Sequence, residues 1–102
     1  MLTEKQFEAQ VKELAKMFGY FYYHTHRSQF SPSGFPDCVM ARIEPEPRLI
    51  FAELKTDDIK NSQPSFDQWL WLYILQQLPR PVECFLWRPD DFDEIAELLR
   101  NT

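Results

Sequence analysis

An α/β fold of order αβββαβα, a mixed sheet flanked by helices with an extra helix at the C-terminus, is what this chain predicts. Three observations predict it: stretches with apolar residues at helical spacing, short β-rich apolar runs, and prolines or polar residues at the joints between them. At 102 residues the chain is read as one domain, 1–102, because a chain of this size buries about 60–65% of its unfolded surface and has room for one core and one site.

Thr3 to Phe18 reads as an amphipathic helix, since Phe7, Val11, Leu14 and Phe18 recur on one stripe, Thr3 can cap its start and Gly19 stands where a C′ residue belongs. Tyr20 to His26 is aromatic and β-rich, a strand leading into the polar loop Arg27 to Gly34. Asp37 to Arg42 and Arg48 to Lys55 read as the two strands of a hairpin joined through Glu44-Pro-Glu-Pro47, whose prolines are excluded from a central ladder. After a polar loop from Thr56 to Pro64, Ser65-Phe-Asp-Gln68 has the form of a capping box opening a second helix. From Trp69 to Leu78 that helix is apolar almost all round, so it is either covered on two sides within the fold or forms part of a subunit interface. Pro79-Arg-Pro81 ends it, Val82 to Trp87 is a strand, and Pro89-Asp-Asp-Phe-Asp-Glu-Ile begins a last helix whose early acids suit its N-terminal dipole.

Composition narrows the function. Hydrophobic residues make up 44% and aromatics 16%, which excludes a disordered chain. No apolar run is long enough to span a bilayer or to serve as a signal peptide, and Cys38 and Cys84 lie in apolar runs as buried thiols would, so the expected location is the cytoplasm, away from membranes. The net charge of −5 argues against nucleic-acid binding through a bulk positive field, yet its distribution is uneven. No Asp or Glu falls between Leu14 and Pro36, where Lys16, His24, His26 and Arg27 stand, while six of the sixteen acids lie from Glu83 to Glu97. One face can be cationic although the total is not.

The chemistry concentrates in Gly34-Phe-Pro-Asp37 and, after fifteen intervening residues, Glu53-Leu-Lys55. Strand alternation puts Glu53 and Lys55 on one face and Leu54 on the other. Asp37, at the start of the neighbouring strand, can bring a second carboxylate to share a divalent cation with Glu53. A hard ion such as Mg²⁺ takes oxygen ligands and keeps several waters, so the two carboxylates, the Leu54 carbonyl and substrate phosphate oxygens complete its octahedron. Lys55 would then orient an attacking water and offset charge building at phosphorus. The competing interpretation is a hairpin whose Glu53 and Lys55 only pair with each other, with Asp37 a turn residue after Pro36.

Pro-Asp followed by Glu-x-Lys resembles the PD-(D/E)xK nuclease superfamily, whose restriction-endonuclease-like core shares the αβββαβ order. Within it, Gly34-Phe-Pro-Asp37, Phe51-Ala-Glu-Leu-Lys55, Ser65-x-x-Gln68-x-Trp-Leu and Trp87-Arg-Pro-Asp-Asp-Phe resemble the VRR-NUC family over nearly the whole chain. The resemblance implies a Mg²⁺- or Mn²⁺-dependent DNA endonuclease, similar to the stand-alone, often phage-encoded Holliday junction resolvases that act as homodimers on branched DNA in a bacterial or phage-infected cell. Asp37 and Glu53 would be metal ligands and Lys55 the catalytic lysine. A helix-one glutamate is usual: Glu8, eleven residues before Gly19, has the expected spacing, and Glu4 on the same side of the helix is the alternative. Gln68 is expected to reach the active site or the DNA as well as to cap its helix.

Around that centre, His26, Arg27 and Ser28 in the acid-free stretch are candidate phosphate contacts. His24 and His26 share a strand face, but with no third ligand nearby in sequence they make a poor zinc site. The alternatives to a branched-DNA nuclease are a non-catalytic DNA- or protein-binding module of the same fold, and a nuclease acting on linear duplex DNA or on RNA.

Overall fold

The computed structural model describes residues 1–26 and 30–100. Its elements run α1 (Glu4–Met17), β1 (Phe21–His24), β2 (Cys38–Arg42), β3 (Arg48–Leu54), α2 (Phe66–Gln76), β4 (Val82–Trp87), a 3₁₀ turn (Pro89–Asp91) and α3 (Phe92–Arg100). The sheet is ordered β1-β2-β3-β4, antiparallel across the first two pairs and parallel between β3 and β4. A parallel neighbour needs a crossover, and α2 is that crossover.

Local signals act where the sequence puts them. The Thr3 hydroxyl accepts from the Gln6 amide while the Gln6 side chain accepts from the Thr3 amide, and Ser65 and Gln68 repeat this reciprocal arrangement at α2. Gly19 takes a positive φ of 82°, the left-handed turn that releases the chain from α1 into β1. Several boundaries differ from expectation, β2 and β3 by a single residue each. The first strand is shorter at both ends: Tyr20 turns inward to pack in the core and, past His24, the Thr25 amide donates to the Asp37 carbonyl at 2.8 Å outside the regular ladder. The last helix begins as a 3₁₀ turn, where the Asp91 carboxylate accepts from the Arg88 amide at 2.9 Å.

Alternation along β3 assigns the two faces of the sheet. Ile50, Ala52 and Leu54 are fully buried against α1 and α3, with Phe7, Val11, Ile95 and Leu99 closing over them. Phe51 faces the other way, with Leu72, Leu75 and Cys84 under α2. Cys38 lies in the first cluster and Cys84 in the second; both are free, and burial pushes their thiols up to about 12 and about 11. No helix among the described residues is long and apolar enough to cross a membrane.

One polar lock ties the far end of the sheet. Arg48 forms a two-pronged pair with Glu83, both contacts 2.7 Å, and the same guanidinium donates to the Tyr20 hydroxyl at 2.9 Å and the Leu98 carbonyl at 2.7 Å. Tyr20 in turn donates to the Leu99 carbonyl at 2.9 Å. β3, β4, α3 and the start of β1 thus meet at one nearly buried cation. Removing a single partner leaves that charge undercompensated, so Glu83→Gln is expected to cost about 3 kcal/mol of folding stability, measured as a lowered urea midpoint.

Candidate active site

Central position on the sheet determines the character of Glu53. β3 lies between β2 and β4, and Glu53 is 1% exposed, beneath the α2 side of the sheet. Both carboxylate oxygens are buried without a hydrogen-bond partner. Lys55, two residues on and on the same face, brings its Nζ to 3.5 Å from Glu53 Oε2, an ion-pair distance that leaves the carboxylate's hydrogen-bonding capacity unused. Desolvation pushes the Glu53 carboxyl up to about 8; the charge of Asp37 adds to the rise, and that of Lys55 opposes it.

Asp37 stands directly across from it. The β2–β3 register pairs Cys38 with Ala52, so one step further Asp37 faces Glu53, and alternation puts both side chains on one face. The Asp37 carboxylate accepts from the Leu54 amide at 2.8 Å. Within an extended strand a residue's N–H and C=O point to the same neighbour, so the Leu54 carbonyl is also directed to the Asp37 side. The two carboxylates, the Leu54 carbonyl and Lys55 therefore lie at one end of the central strands.

The loop before β2 supports this placement. Gly34 has φ +94°, and a Cβ there would come within 2.6 Å of the Asp67 backbone, so only glycine lets the loop close onto the start of α2. Ser33 hydrogen-bonds the Asp67 carboxylate, Phe35 packs edge-on to Phe51 and Trp71 at 5.8 and 5.0 Å, and Pro36 is fully buried. Asp37 leaves a clamped segment rather than a loose turn.

The remaining candidates divide. Gln68 is 8% exposed; its Oε1 accepts from the Ser65 amide at 2.9 Å, which leaves its NH₂ for a cleft of about 770 Å³ that Asp37 also lines. Capping and reaching toward the site are therefore compatible. Glu8 accepts a 2.5 Å hydrogen bond from the Tyr22 hydroxyl and lies 3.8 Å from His24 Nδ1. Glu8, Glu4, Asp37 and Leu54 line a second cleft of about 440 Å³, and the charge of Glu4 adds to the rise of the Glu53 carboxyl. Among the described residues no group of three or more His, Cys, Asp or Glu side chains is placed to hold a metal. His26 lines the larger cleft, its ring edge-on to His24 at 5.2 Å. Arg27 and Ser28 lie outside the described residues.

Sequence reasoning missed the walls of that larger cleft: Tyr23, Thr25, Phe35 and Trp71 come from three separate segments. The alternation of Tyr23 and Thr25 on the edge strand was the available signal. Compared with known proteins, the chain matches no family model, no curated protein and no solved structure.

The sign of the Glu53 shift makes a stability prediction. Its folded-state value lies above the ordinary 4.5, so folding takes up a proton, and stability is lost as pH rises from about 4.5 through about 8. Glu53→Gln removes that dependence. In EDTA the variant is expected to melt several degrees above the wild type at pH 8 and close to it at pH 5, while Mg²⁺ or Mn²⁺ raises only the wild-type Tm.

Proposed function

We propose that the chain is a divalent-metal-dependent DNA endonuclease of the VRR-NUC kind, hydrolysing phosphodiesters in branched DNA such as a Holliday junction. The observation that carries this is the fully buried Glu53 carboxylate, without a hydrogen-bond partner, facing Asp37 across the sheet and flanked by Lys55. A buried carboxylate is costly unless something compensates it, and one lysine at 3.5 Å does so only in part.

The residues fit a hard cation. Asp37 and Glu53 supply carboxylate oxygens, the Leu54 carbonyl supplies a third, and the small number of protein donors leaves places for water and phosphate, as Mg²⁺ or Mn²⁺ requires. Bound there, such an ion would acidify water and polarise the phosphoryl group. Lys55, partly buried on the same face, is placed to orient the attacking water and to offset the charge that builds at phosphorus. Gln68 holds its amide toward the substrate side, fixed there by its bond to Ser65. No covalent intermediate with the protein is needed.

The open face of α2 supports a homodimer. Phe66, Trp69, Leu70, Tyr73, Ile74 and Leu78 are 45–79% exposed along one side of the helix, while Leu72 and Leu75 are buried on the other. Self-association would cover this stripe, and two symmetric sites suit paired incisions across a junction.

Two measurements test the proposal. With Mg²⁺ or Mn²⁺ the purified protein should cut branched DNA, and Lys55→Ala should be slower by roughly 100-fold or more; equal cleavage by wild type and variant contradicts the mechanism. In sedimentation the wild type should run as a dimer and Tyr73→Glu, which places a charge on the exposed stripe, as a monomer.

A further inference from the structure

The larger cleft is more than an approach to the metal ligands. Tyr23, Phe35 and Trp71 line it, and with them stand Thr25, Gln68, His26, several serines and the carboxylates of Asp37 and Asp67; the Thr25 hydroxyl oxygen is buried without a partner. The Asp37 and Asp67 carboxylates in that lining disfavour a phosphate inside the cleft. Aromatic walls with hydrogen-bonding groups between them suit a nucleobase, which stacks on its faces and hydrogen-bonds at its edge. About 770 Å³ is ample for one, and Asp37 belongs both to this cleft and to the carboxylate pair.

We propose that this cleft takes an unpaired nucleobase adjoining the scissile phosphate, so that the preferred substrate carries a single-stranded nucleotide at the cut. A base within a duplex is stacked and paired, and reaching a side cleft would require it to be extruded. A flap or splayed arm presents the base without that cost, whereas a linear duplex or a fully paired four-way junction does not. This rests on the nuclease function proposed above and chooses among branched substrates. Tyr23 is the open wall, 61% exposed on the edge strand, while Phe35 holds Trp71 from the other side at 5.0 Å.

The test compares wild type, Tyr23→Ala and Thr25→Val in Mg²⁺ and Mn²⁺ on a flapped duplex, the same flap with abasic nucleotides on both sides of the cut, a linear duplex and a fully paired four-way junction. Tyr23 is exposed, and Thr25→Val preserves shape, so both variants should fold. The wild type should prefer the flap to both fully paired substrates and lose about 10- to 100-fold on the abasic flap. Tyr23→Ala should lose a similar factor on the intact flap and little more on the abasic one, because one stacking contact is removed either way. Equal rates on flapped and fully paired DNA, or variant losses that are the same with and without the base, overturn the base-binding cleft and leave the nuclease function standing. Wild-type cleavage of none of the four substrates with either metal overturns that function and this proposal together.

Discussion

A carboxylate held in the centre of a sheet is the constraint on which the site depends. Glu53 lies on the middle strand pair, under α2, with neither oxygen hydrogen-bonded and a charge of the same sign facing it from Asp37. The apolar packing that puts it there is ordinary: Ile50, Ala52 and Leu54 bury one face of β3, Phe51 the other. That packing fixes the strand, and the strand fixes the carboxylate, so Glu53 cannot move out to water without disrupting both clusters. The stability of the sheet sets against the cost of the site, and a divalent cation would turn that cost into binding energy.

Much of this was legible in the chain. The order of elements followed from periodicity, from Thr3 as a cap and from the Ser65–Gln68 capping box, whose side chains act locally, within three residues. The shared face of Glu53 and Lys55 followed from strand alternation, and the fifteen-residue gap back to Asp37 is a hairpin whose register brings Asp37 opposite Glu53. What was not legible depends on distant partners. The Arg48–Glu83 pair joins residues thirty-five apart, and nothing near either one announces it. Gly34 looks like a turn glycine, yet its need for a missing Cβ is set by the Asp67 backbone on another element. Glu8 had the expected spacing, but Tyr22 and His24, unremarkable as strand residues, determine where its carboxylate goes.

The apolar helix α2 shows the same division. Its all-round hydrophobicity was plain from Trp69 to Leu78, but which side the fold covers depends on the crossover from β3 to β4. Leu72 and Leu75 meet the sheet, and the opposite stripe from Phe66 to Leu78 stays open. The N-terminal turn of the same helix receives Gly34 and Ser33 and turns Gln68 toward the cleft. One helix thus closes the second core, anchors the loop that delivers Asp37, and leaves an apolar side free for association.

The central claim, that Asp37 and Glu53 form a divalent-cation site, is tested most directly by calorimetric titration of Mn²⁺ into the metal-free protein in buffers of different ionisation enthalpy. The account predicts one ion per chain and release of a proton from Glu53 that is close to complete at pH 6.5 and fades above pH 8, as its position near 8 requires. Binding that is absent, that releases no proton at pH 6.5, or that survives unchanged in Asp37→Asn would contradict it.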